Sequence, residues 1–186
     1  MREYTISELK AIAESAFNYL KKHFDKSILH HNFVMVRGDL PNNKLASFNV
    51  YGNQKVYVDV ITFDEKKLIR KLRNGKIEDD FDDKLPMVID EIVAGEVGAI
   101  LFYVGHKLNT SGLEDVQELI GYYSGIVYSN RRRNQNYSLF LRSIRNEELY
   151  DKAKRMYLKF KDTKITELVN FKDLDGYNNL ISKMEM

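Results

Sequence analysis

The chain has 186 residues, 44% of them hydrophobic and 30% charged, with a formal net charge of +2 and no cysteine. That length and balance fit one folded domain with its own core rather than a disordered chain. The missing cysteine excludes disulfides, thiolate zinc sites, iron–sulfur clusters and cysteine nucleophiles, and fits a reducing, cytoplasmic setting. The N-terminal stretch "MREYTISELK" has no signal-like apolar run, and the longest apolar run, "AILFYV" (99–104), is too short to span a bilayer, so no membrane partner is expected.

The first predicted helix begins at "TISE", a capping box in which Thr5 and Glu8 each satisfy the other's backbone N–H. Ile6, Leu9, Ile12, Ala16, Phe17 and Leu20 then recur at helical spacing. Strands are predicted at 32–38, 44–52 and 55–63, separated by the turn chemistry of "DLPNN" and by "GNQ" as a hairpin. Alternation along the third strand sets Val56, Val58 and Val60 on one face and Tyr57, Asp59 and Ile61 on the other.

Asp64 caps a short basic helix that runs to about Arg73 and stops at "NG". The acidic "KIEDDFDDK" reads as a loop. Pro86 opens a helix that stops at Gly95, and "VGAILFYVG" (97–105) reads as a strand buried on both faces. "SGLE" (111–114) is a second capping box, leading a helix with Leu113, Val116, Leu119, Ile120 and Tyr123 inward. "GIVYS" reads equally as strand or as continued helix. The arginines at 131–133 fall in a connection before a strand at 137–144. Asn146 caps a helix whose inner stripe is Leu149, Ala153, Met156, Tyr157 and Phe160, and a short helix near 177–183 closes the chain. The predicted class is α+β, or mixed α/β: a single domain with an N-terminal helix, a three-stranded antiparallel meander, then alternating helices and strands.

Charge is split along the chain. Residues 76–96 hold eight acids against two lysines, and residues 131–164 hold eleven basic residues against four acids. Opposed blocks of this kind suit docking to a polyanion, to a protein, or to each other. "SNRRRNQNYS" (129–138) concentrates the positive charge, because guanidinium forks match phosphate oxygens and the flanking amides add hydrogen bonds. Arg131, Arg132 and Arg133, extended by Arg142 and Arg145, are the candidate anion- or nucleic-acid-binding residues.

No specific catalytic motif is present. The order helix, three strands, helix, strand is similar to the core order of restriction-endonuclease-like nucleases, which resemblance implies clustered carboxylates, Mg²⁺ and a nearby lysine. Asp59, with Asp39 and Glu14, supplies the candidate carboxylates. Ile61 stands where such a site wants lysine and Asn49 where it wants an acid, so the likeness is one of element order alone. His23, His30 and His31 cluster loosely, but adjacent strand residues point to opposite faces, and no metal site is expected. The sequence thus predicts a non-catalytic interaction or assembly module without cofactor, with nucleic acid or an acidic protein as partner and a homo-oligomer as a compatible state. The alternatives are a divergent Mg²⁺-dependent phosphodiester enzyme on Asp59, or a structural subunit of a phage or mobile-element particle.

Overall fold

Thr5 starts helix α1 (Ile6–Leu20) as its sequence demands: Thr5 Oγ1 accepts from the Glu8 N–H at 3.2 Å, and Glu8 Oε2 accepts from the Thr5 N–H at 2.8 Å. The apolar spacing becomes a buried stripe of Leu9, Ile12, Ala13, Ala16, Phe17 and Leu20, and a 3-10 turn (Lys21–His23) ends the helix. This is a computed structural model, and it describes residues 3–24, 30–42, 44–53, 56–74, 81–106, 109–133, 146–160 and 182.

Three strands follow, β1 (His31–Arg37), β2 (Ala46–Asn53) and β3 (Val56–Phe63). Their order is β1-β3-β2, with β2 antiparallel and β1 parallel to the central β3. The antiparallel meander is therefore corrected to a mixed sheet. Its physical reason lies in β3, whose inward residues Asp59, Ile61 and Phe63 are all buried. A strand with that much to cover takes the centre, and the 38–45 connection is long enough to carry the chain across it.

Alternation sorts the sheet into two faces. The rows Phe33–Asp59–Val50 and Met35–Ile61–Phe48 share the inner face, where α1 packs on β1 and Phe17 meets Phe33 at 5.7 Å between ring centroids. The rows Asn32–Val58–Tyr51, Val34–Val60–Asn49 and Val36–Thr62–Ser47 share the outer face and hold no charged side chain.

Asp64 caps α2 (Glu65–Asn74): its Oδ1 accepts from the Lys67 N–H at 2.9 Å. Its other oxygen accepts from the Leu40 N–H at 2.9 Å and pairs with the Lys67 ammonium at 3.1 Å, so one carboxylate ties the β1–β2 connection to the helix. Burial alone would raise the Asp64 pKa. The N–H groups of Leu40 and Lys67 and the Lys67 ammonium outweigh it, and the carboxyl is held below its ordinary range. A folded-state pKa below the unfolded value gives stability that is complete above about pH 4 and is lost as pH falls through the lowered pKa. Between about pH 4 and 2, the melting temperature of the wild type should therefore fall more than that of Asp64→Asn. Parallel pH profiles for the two proteins would contradict this.

The largest departure from expectation is α3 (Phe81–Gly105). Residues 97–105 continue this helix rather than form a strand, Gly95 does not stop it, and Pro86 lies inside it. Among the described residues after β3, the predicted alternation of helices and strands gives way to helices alone. A run that is apolar all round suits a helix covered on several sides as well as a strand. Here α1, β2 and α4 (Glu114–Arg133) all pack on α3. Small residues make the α3–α4 approach possible: a Cβ on Gly98 would lie 2.2 Å from Ser124 Oγ, and one on Gly125 would lie 2.4 Å from the Glu91 carbonyl oxygen. "GIVYS" is accordingly helix. α4 begins at Glu114, so "SGLE" lies at and just before its start rather than around a cap at Ser111.

Helix α5 (Glu147–Phe160) packs on α4, and Asn146 caps it as expected, its Oδ1 accepting from the Leu149 N–H at 3.4 Å. The strand expected at 137–144 lies outside the described residues, as does all but Ser182 of the closing helix. The class is α+β. No helix among the described residues is long and apolar enough to cross a membrane.

Candidate anion-binding surface

The three candidate carboxylates do not meet. Asp59 is fully buried on the inner face of β3. Asp39 is exposed in the β1–β2 connection. Glu14 is exposed on α1, 3.8 Å from the Lys10 ammonium four residues earlier. Among the described residues no group of three or more histidine, aspartate or glutamate side chains is placed to hold a metal.

Asp59 instead meets His31. His31 Nδ1 and Asp59 Oδ2 are 2.5 Å apart, and neither side chain has accessible surface. The imidazole sits among Phe17, Phe33 and Tyr57, with ring centroids 5.0, 6.1 and 5.1 Å away. Asp59 Oδ1 and His31 Nε2 are buried without a hydrogen-bond partner. A carboxylate orienting an imidazole is half of a familiar catalytic arrangement, but a reacting group must be reachable, and here both tips are sealed. Sequence reasoning treated His31 and Asp59 separately. Parallel pairing of β1 with β3, which puts His31 beside Tyr57 and Phe33 beside Asp59, is what joins them.

The arginine run fares differently. Arg131, Arg132 and Arg133 occupy the last turn of α4, not a connection. Arg142 and Arg145 lie outside the described residues, as does the Arg133 side chain. Arg132 Nη1 pairs with Asp90 Oδ1 at 2.9 Å and lies 3.4 Å from the Tyr128 hydroxyl. Asp90 is a buried residue of α3 from the acidic block, so that part of the charge split closes within the molecule.

Arg131 points elsewhere. Its guanidinium lies 4.4 Å from the centroid of the Tyr19 ring, and the Lys22 ammonium lies 4.1 Å from the same centroid. Cations over an aromatic face are attracted by its quadrupole. His23 meets that ring edge-on at 5.5 Å, and Tyr128 flanks it at 6.3 Å. Lys21, exposed next in the chain, bonds Asn18 Oδ1 at 3.0 Å. The C-terminal ends of α1 and α4 thus bring Lys22 and Arg131 together at one tyrosine, with Lys21 exposed beside Phe17 and Asn18. Sequence reading found the arginines and missed the lysines. The available signal was "YLKKH" (19–23), an aromatic followed by two lysines at a helix end.

A hollow lies elsewhere. A cleft of about 780 Å³ between β2, α3 and α4 is lined by Lys44, Phe48, Glu96, Tyr103, Glu118 and Tyr122, among others. Two of its acids bond within α4 or at its start: Glu118 accepts from the Tyr122 hydroxyl, and Glu114 from the Gly112 N–H at 3.2 Å. Comparison with protein-family models, with curated proteins and with solved structures gives no match, so the functional reading rests on the chain's own residues.

Proposed function

We propose that the protein is a non-catalytic interaction module that docks onto a polyanionic surface through the adjoining ends of α1 and α4. The observation that supports this reading is Tyr19, whose ring holds Lys22 and Arg131 within 4.4 Å of its centroid. Two cations drawn to one ring repel each other, and an anion seated against them relieves that repulsion. The enzyme reading on Asp59 draws no comparable support, because its carboxylate is sealed beside His31.

Heparin chromatography tests the proposal with a built-in contrast. The wild type should be retained at low salt, and Lys22→Ala with Arg131→Ala should elute at clearly lower salt. Arg132→Ala should elute close to the wild type but melt at a lower temperature, because Arg132 is engaged with Asp90. Passage of the wild type through the column at low salt, or identical elution of all the proteins, would remove the proposal.

A further inference from the structure

The basic surface also carries information about what kind of polyanion it fits. We infer that its partner is the sugar–phosphate backbone of double-helical nucleic acid, contacted without base stacking and without sequence preference. This rests on the polyanion-docking reading above.

The argument starts from the aromatic component. Surfaces that hold single strands combine a positive groove with aromatic faces on which unpaired bases stack. Tyr19 is the aromatic ring of this surface, and it is already engaged: Lys22 and Arg131 lie at 4.1 and 4.4 Å, His23 and Tyr128 at 5.5 and 6.3 Å. Tyr128 is itself buried, and its hydroxyl donates to Ser15 Oγ at 2.9 Å. Among the described residues this ring is already occupied by two cations, and an unpaired base would have to displace one of them to stack on it. What remains is positive charge on two helix ends, and charge alone favours the denser polyanion. Duplex DNA carries about one charge per 1.7 Å of axis, and each neutralised phosphate releases more counterion from a duplex than from a single strand.

The base edges are equally out of reach. Sequence readout in a major groove needs a helix or ribbon inserted into it, with amide or guanidinium side chains projecting ahead. Here the cations sit at the last turns of two packed helices. Asn130, the amide next to Arg131, is turned back to the Ile126 carbonyl at 2.9 Å. Phosphate contact positions a protein on nucleic acid but specifies no sequence. An acidic protein surface would offer carboxylates to the same guanidinium. Its charges are spaced irregularly, whereas a phosphate backbone presents charge at every step to two cations gathered on one ring.

Fluorescence anisotropy with the full chain tests this directly. The probes are a labelled duplex of about 20 base pairs, its single strand, a second duplex of unrelated sequence, and polyglutamate as competitor. The duplexes should bind alike and several-fold tighter than the single strand. With Lys21, Lys22 and Arg131 as the contacts, log K against log salt should fall with a slope of roughly −2 to −3. Lys22→Ala with Arg131→Ala should flatten that slope by roughly two. Both residues are exposed, and an unchanged circular dichroism spectrum would show that the variant still folds. A single strand that binds as tightly as the duplex would overturn the inference in favour of base contacts. Polyglutamate that competes as well as duplex would overturn it in favour of an acidic protein. If duplex, single strand and heparin all fail, the docking reading itself falls; if heparin alone binds, that reading stands and only the nucleic-acid inference is lost.

Discussion

Asp59→Ala is expected to destabilise the protein by about 1–3 kcal/mol or more, the cost of leaving a buried polar group without its hydrogen-bond partner. His31 would then keep both ring nitrogens inside a site with no accessible surface, among three aromatic rings. Its polar atoms could neither reach water nor find the carboxylate, and the lost contact is a short one at 2.5 Å. His31→Leu should be costly for the mirror-image reason, since it strands the carboxylate. The double variant should recover much of the loss, giving a coupling of about 2 kcal/mol or more in a double-mutant cycle. Denaturant unfolding of the four proteins measures it. A cost below about 0.5 kcal/mol for Asp59→Ala would mean that the pair is not closed to water as described.

The second large effect is expected at Gly125. An alanine Cβ there would sit 2.4 Å from the Glu91 carbonyl oxygen and 2.8 Å from Glu91 Cγ. The first of these is backbone in the middle of a helix, so it cannot turn aside, and α3 and α4 would have to separate. The expected loss is about 2–3 kcal/mol or more, the cost of forcing atoms into a packed contact. Gly105→Ala supplies the contrast. Its Cβ would meet nothing within 4 Å at the end of α3, and alanine is the better helix former by about 1 kcal/mol. Thermal unfolding should therefore rank the variants with Gly125→Ala well below the wild type and Gly105→Ala level with it or above. Equal melting temperatures for the two variants would refute the close approach of the helices.

These two sites mark where sequence reasoning succeeds and where it stops. The helix starts at Thr5, Asp64 and Asn146 were legible because a cap is a local pattern: the residue that accepts and the N–H that donates lie three apart. That Asp59 and Ile61 share one face was legible from period-two alternation; that this face is the inner one was not. Strand order was not, because the pairing of β1 with β3 depends on which strand has most to bury, a property of the assembled sheet. Residues 97–105 were misread for a related reason. An apolar run with no periodicity reports burial on all sides without saying what does the burying, and Gly95 looked like punctuation when it is a contact surface for Gly121. The basic surface was half legible. A triple arginine announces itself, but the meeting of two helix ends around Tyr19 is a tertiary fact.

The close α3–α4 contact also bears on the order of events as the chain is made. Strands β1 to β3 leave the ribosome before α3 exists, yet the inner face of β2 has α3 as its cover. The sheet therefore emerges with part of that face bare and stays incomplete until the chain has been extended past Gly105. The α3–α4 pair, by contrast, is joined by the short stretch 106–113 and meets through small residues along facing helix surfaces, so its mutual contacts close a shorter loop than those between α3 and the earlier strand. The later-made helices thus supply the cover that the earlier-made sheet lacks.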